Sequence, residues 1–229
     1  DMVEMVPTAF WKYATAILKD NYPQTIVIGE VYDPSQYRTY VQSGFDYLYD
    51  KVGMYDCLKS VVRQECNASA ITYQWQSLDD IGQHMLYFLE NHDEQRIASS
   101  FFCGDAQRAI PALIVSALLQ GNPMLIYAGQ EFGEPGMDNE GFSGVDGRTT
   151  IFDYWTVGTI YRGYFHRDQL SVNENDIYAQ YQHILRIAKG ERAVGEGLFF
   201  DLMYVNPLSH KFNPTKHFAF LRKWQDELL

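Results

Sequence analysis

Short apolar runs alternate with amphipathic stretches along most of this chain, and their periods predict its elements. Met85 to Leu89 allows no polar face and is too short for a helix, so it reads as a parallel strand buried on both sides. Thr25 to Gly29 reads the same way and is the clearest buried strand. Phe45 to Tyr49 and Met124 to Tyr127 are two more short ones. Helical periods lie between them. From Thr8 to about Lys19, after Pro7, residues Phe10, Tyr13, Ala14, Ile17 and Leu18 share one face. Further helices are predicted from Val52 to Glu65 and from Trp75 to Ile81. Asp105 should cap another that runs to about Gln120 and that Pro111 kinks or restarts. Asn173 to Lys189 is the best amphipathic helix: Ile177, Tyr181, Ile184, Leu185 and Ala188 line one face, and Gly190 sits at its stop. Strands alternating with helices predict βα units and a parallel sheet. From Gly195 to Leu221 the helical period gives way to short apolar-aromatic runs, which predict a small β domain. The division falls at residues 1–190 and 191–229.

Composition narrows the partners. A chain of 229 residues that is 46% hydrophobic supports a sizeable core. A net charge of −11 disfavours nucleic acid and anionic membrane surfaces, and no apolar run reaches membrane-spanning length. Cys57, Cys66 and Cys103 show neither a disulfide framework nor zinc-ligand spacing. Seventeen Tyr and fourteen Phe suit sugar-binding clefts, although most are assigned to the core. The acidic loop from Gly129 to Gly147 matches no calcium-loop pattern and reads as a solvated rim. The chain opens on Asp1 and stops at Leu229 without a tail, so a fragment cut at both ends is expected. The compartment stays open, as a soluble protein of the cytoplasm or of a periplasmic or secreted location.

Candidate chemistry gathers where strands end. Asn91, His92 and Asp93 follow the Met85 strand, and Glu30 follows Gly29, whose missing side chain is expected to leave room for a ligand. Parallel sheets collect catalytic groups at the carboxyl ends of their strands. Taken singly, each has an ordinary explanation: a helix N-cap for Asp93 and an exposed loop residue for Glu30. With Asp1, three carboxylates stand in similar local settings.

The stretches DMVEMVP, IVIGEVY, FLENHDEQR and MLIYAGQEFG, the last followed by GRTTIFDYW, resemble the alpha-amylase family of glycoside hydrolases and keep its order over most of residues 1 to about 155. The resemblance implies an α/β fold: part of a (β/α)8 TIM barrel, roughly strands 4 or 5 to 8, followed by the beginning of a β-sandwich. It implies Asp1 as nucleophile, Glu30 as general acid/base and Asp93 as transition-state stabiliser. His92, Asn91, Tyr32 and Arg96 are the implied substrate-binding residues. The family's Lys-His pair after the nucleophile falls on Glu4-Met5 here. No cofactor is required; calcium stays open for the full-length protein but is not supported by these residues, and no metal ligands are assigned. Trp155 with Tyr154 is a candidate sugar platform, with barrel packing the favoured reading.

The chemistry needs this inventory. A retaining glycosidase sets a nucleophile and an acid/base about 5–5.5 Å apart, and the acid's proton is held by burial and neighbouring negative charge. A third carboxylate supports the positive charge that develops on the sugar ring. The expected activity is retaining hydrolysis of α-1,4-glucans such as starch or maltodextrin through a covalent glycosyl-enzyme. The isolated fragment is expected to be inactive. The alternatives are α-glucan transglycosylation and a non-catalytic amylase-like binding or partner domain. The second expects one of the three carboxylates to be replaced.

Overall fold

Four short parallel strands pair in the order in which they occur, and the helices pack around them. The structure, a computed structural model, describes residues 2–139 and 145–229. Strands β1 (Ile28–Gly29), β2 (Tyr47–Tyr49), β3 (Met85–Phe88) and β4 (Met124–Leu125) form one sheet. Ile28 pairs with Tyr47, Leu48 with Met85 and Tyr87 with Met124. Every residue of β3 is buried, as its unbroken apolar run requires. Consecutive parallel pairing with helical connections is the arrangement of a partial (β/α)8 barrel.

The helices are α1 (Thr8–Asn21), α2 (Tyr37–Val41), α3 (Asp56–Val62), α4 (Ala70–Ser77), α5 (Ile110–Leu118), α6 (Gly158–Phe165), α7 (Val172–Gly190) and α8 (Arg192–Gly195). Pro111 lies in the first turn of α5, so the helix restarts there rather than bending. In α7 the expected face is correct, with Ile177, Tyr181 and Ile184 buried. Helix α3 is shorter than its apolar pattern and is preceded by a wide turn of π type over Lys51–Tyr55. Helix α4 starts before Trp75, and a 3-10 segment, Asp79–His84, carries the chain into β3. Helices α2 and α6 have no counterpart in the sequence reading.

Two expectations about burial fail at one edge of the sheet. The Thr25 to Gly29 strand shrinks to two residues, and Ile26 and Ile28 are 64% and 46% exposed. Strand β1 has a pairing partner on one side only among the described residues. Helix α1 beside it turns Trp11 and Thr15 inward instead of the predicted face: Trp11 packs on Phe45, and the Thr15 hydroxyl donates to the Ser43 carbonyl at 2.6 Å. Phe10, Tyr13 and Ile17 are left exposed.

Strands β5 (Leu198–Asp201), β6 (Phe220–Trp224) and β7 (Glu227–Leu228) make a separate antiparallel sheet, as expected of a following β domain. It is tied to the barrel helices by Arg222 and by Asp201, which accepts from Thr72 and from the Trp75 indole. Among the described residues no helix is long and apolar enough to cross a membrane.

Candidate active site

Strand β1 delivers Glu30 and β3 leads into Asp93, so both carboxylates stand past the carboxyl ends of parallel strands. Gly29 makes this approach possible in an unexpected way. A Cβ there would stand 2.7 Å from the Phe45 ring, so the space beside Gly29 holds Phe45 and not a ligand. Glu30 is 8% exposed, and the Tyr32 hydroxyl donates to its Oε1 at 2.7 Å. Burial and that carboxylate push the ionisation of Tyr32 well above the usual tyrosine range, which keeps its hydroxyl a donor.

Tyr49 stands between the strands that lead to the two carboxylates. It ends β2, between β1 and β3, and its ionisation is raised by burial and then by the charges of Glu30 and Asp93. One phenol thus feels both carboxylates. The sequence reading missed Tyr49, although its place at a strand end carried the same signal that picked out Glu30.

The turn bearing Asp93 is built by Asn91. The buried Asn91 Oδ1 accepts from the backbone N–H groups of Asp93 (2.9 Å) and Glu94 (2.8 Å), an Asx-turn. Asn91 Nδ2 has no hydrogen-bond partner among the described residues. His92 and Asp93 face solvent with His92 Nε2 3.4 Å from Asp93 Oδ2. Glu94 faces the other way, accepting from the Tyr55 hydroxyl at 2.8 Å with Lys51 and Lys59 beside it. Arg148 adds positive charge near Asp93 and Glu94 while its guanidinium pairs with Asp146.

Arg96 departs from expectation. It is 1% exposed, and its Nη1 donates to buried Glu90 at 2.7 Å. Its Nε and Nη2 reach Thr149, and the guanidinium lies 4.1 Å from the Tyr127 ring centroid. Every face of the group is committed to protein, so its assignment as a sugar contact is corrected: Arg96 holds the loop after β3 from within. The sequence offered little warning, because Thr149 is 53 residues away. Tyr154 and Trp155 lie on the loop that precedes α6. Both are exposed, and Tyr154 stacks on Phe152 with centroids 5.9 Å apart.

Asp1 lies outside the described residues, as does part of the acidic loop, residues 140–144. Among the described residues no three His, Cys, Asp or Glu side chains come together to hold a metal ion.

Residues 5–151 match the family profile described as "Alpha amylase, catalytic domain". No curated protein matches the chain. Among solved structures, an alpha-amylase from Geobacillus thermoleovorans complexed with acarbose is similar at TM-score 0.71 and 19% identity, covering 100% of this chain and 46% of that one. A cyclic alpha-maltosyl-(1→6)-maltose hydrolase from Arthrobacter globiformis gives 0.70 and 14%, with 100% and 46% covered. A Nostoc punctiforme debranching enzyme gives 0.69 and 17%, with 96% and 43% covered. These likenesses concern the fold, and the chain spans under half the length of each.

Proposed function

The chain belongs to the alpha-amylase family, and on that premise we propose that it carries the acid/base and stabilising half of a retaining site for α-1,4-glucans. The observation that carries this reading is one carboxyl-end face of the parallel sheet, with buried Glu30 past the end of β1 and exposed Asp93 on the turn after β3. In this reading Glu30 protonates the leaving glycosidic oxygen, and Asp1 attacks the anomeric carbon from the opposite face. The glycosyl-enzyme is then hydrolysed by water that Glu30 deprotonates. Asp93 supports the oxocarbenium-like charge, and His92 beside it donates to sugar hydroxyls. Asn91 serves by holding the Asp93 turn, which supports a shaping role ahead of direct sugar contact. Hydrolysis is favoured over transglycosylation by no residue described here, and product analysis at high substrate concentration separates the two.

The test uses the full-length protein that carries this chain. Glu30→Ala should all but abolish cleavage of maltodextrin yet retain attack on a substrate with a good leaving group, and azide should then release an α-glycosyl azide. Asp1→Ala with azide should give the β anomer from an activated α-substrate. Swapped anomers would reverse the two roles, and a wild-type protein inert toward every α-glucan would overturn the reading.

A further inference from the structure

We propose that Glu4 is a positioning residue for Glu30 and acts on it through Tyr32. This rests on the reading of Glu30 as the acid/base. Glu4 lies in a 3-10 turn, Val3–Met5, whose Val3 is buried and whose Val3 carbonyl accepts from the Trp11 indole at 2.9 Å. The turn is therefore anchored to α1. From it, the two carboxylate oxygens of Glu4 reach across 28 and 29 residues of sequence. Oε2 accepts from the Tyr32 backbone N–H at 2.9 Å, and Oε1 from that of Asp33 at 3.1 Å.

Two successive N–H groups on one carboxylate fix the orientation of the peptide plane between them, which a single bond would leave free to turn. Asp33 is fastened on its far side as well, since its Oδ1 accepts from Ser35 N–H at 2.9 Å. The backbone at Tyr32 is thus held from both directions. What remains is the side chain, and its hydroxyl donates to Glu30 Oε1. Tyr32 is an exposed residue on a loop, a setting in which a side chain ordinarily samples several rotamers.

The consequence lies in which oxygen of Glu30 carries the proton. With Oε1 accepting from Tyr32, the acid proton is directed to Oε2, which is left to face the glycosidic oxygen. Loosening Tyr32 lets the proton sit on either oxygen and costs the acid step. It leaves attack by Asp1 untouched. Glu4 occupies a position where the family pattern places a lysine, so the same turn that follows Asp1 here grips the segment that follows Glu30.

The experiment compares two substrates with the same glycone in the full-length protein: a maltooligosaccharide, whose departure needs a proton, and α-maltosyl fluoride, whose departure does not. Glu4→Ala and Tyr32→Phe are each expected to lower kcat on the oligosaccharide by at least about tenfold, with KM little changed. For Glu4→Ala the first release of fluoride, read as the pre-steady-state burst, should stay within about twofold of wild type, because that step depends on the nucleophile and needs no proton from Glu30. Glu4→Gln keeps one acceptor oxygen and should fall between wild type and Glu4→Ala, and it carries the same comparison if Glu4→Ala does not fold. Equal losses on both substrates, as a merely structural residue would give, overturn the proposal, as does an unchanged kcat on the oligosaccharide. A wild-type protein inert toward both overturns the catalytic reading itself and this proposal with it.

Discussion

Among the described residues two arginines are buried, and they are neutralised in different ways. Arg96 is 1% exposed and meets a carboxylate, Glu90, itself fully buried. Arg222 on β6 is 4% exposed and meets no carboxylate among the described residues. Its guanidinium donates only to main-chain carbonyls: Leu119 at 3.0 Å, Ala193 at 3.0 Å, Val194 at 2.5 Å and Gly197 at 2.8 Å. Leu119 follows the last turn of α5, and Ala193 and Val194 belong to α8, so the cation sits where helix C-termini present unpaired, partly negative carbonyls. One arginine holds the Asp93 loop with a formal charge. The other fastens the antiparallel sheet to the barrel helices with dipoles. The difference teaches where pH should matter: the first cage contains a titratable partner and the second does not.

Removing Arg96 should have the larger effect. Arg96→Met strands the Glu90 carboxylate in the interior near Glu134, and breaking a buried pair from one side costs about 3–5 kcal/mol. Burial already raises the Glu90 ionisation even with Arg96 opposing it. Loss of Arg96 raises it further above the unfolded value. A group raised in this way contributes its stability below the unfolded value and loses it as pH rises through the folded one. The deficit of Arg96→Met, read from urea midpoints, should therefore be larger at pH 8 than at pH 5. A deficit equal at both would mean that Glu90 is not the group left behind.

Arg222→Met should cost less, on the order of 3 kcal/mol, since it orphans neutral carbonyl dipoles rather than a formal charge. That deficit should be flat between pH 5 and 8. Arg222→Lys should rescue little of it, because one ammonium does not span four carbonyls set around a planar fork. Proteolysis of residues 196–229 should begin earlier in Arg222→Met, as the sheet loses its tie to α5. A pH-dependent deficit would point to a carboxylate in the cage and break the comparison.

Asp50 supplies a third case, a buried carboxyl with no cation partner among the described residues. Burial pushes its carboxyl up to about 6, although the backbone N–H groups of Met54 and Gly53 and the Tyr37 hydroxyl oppose this. Asp50 Oδ2 has no hydrogen-bond partner among the described residues. Its folded value exceeds the ordinary 3.8, so its contribution is full below that value and is lost as pH rises through about 6. Asp50→Asn should stabilise the protein at pH 8 by up to about 2 kcal/mol and change little at pH 4. No gain at pH 8 would mean that Asp50 is ionised in the fold at no cost.

These sites also show what the sequence makes legible. Strand β3 and helix α7 were readable because their burial follows a local period. Strand β1 has an equally apolar run, but burial on both faces depends on neighbours, and it has one. Glu30 and Asp93 were readable as carboxylates after apolar runs. Arg96 was not, because an arginine two residues past Glu94 looks the same whether it faces sugar or Glu90. Arg222 leaves no trace at all, since its partners are carbonyls that every residue possesses. Local patterns encode elements, whereas the pairing of buried charge is settled by contacts across the fold.

The smallest expected effect tests the other kind of helix end, one satisfied from within its own sequence. Arg222 quiets helix C-termini from across the fold, while the N-terminus of α7 is closed by residues three apart. Ser171 Oγ accepts from the Glu174 N–H at 3.2 Å, and Glu174 Oε2 accepts from the Ser171 N–H at 2.7 Å, a capping box. Arg162 of α6 donates to the other oxygen of Glu174 at 2.7 Å. Burial works to raise the Glu174 ionisation, but the Ser171 N–H and Arg162 overcome it, and the carboxyl is held below its usual value. A depressed acid contributes above its unfolded value, and the contribution is lost as pH falls through the folded one. Ser171→Ala removes one bond of the box and should cost about 1 kcal/mol, nearly the same at pH 7 and pH 4. Glu174→Gln keeps an acceptor for the Ser171 N–H but discards the charge facing Arg162. Its deficit should therefore be present at pH 7 and shrink by pH 3, where the wild type has lost the same charge. If the two variants instead show the same pH dependence, the ion pair with Arg162 adds nothing to the cap, and α7 is closed by its own sequence alone.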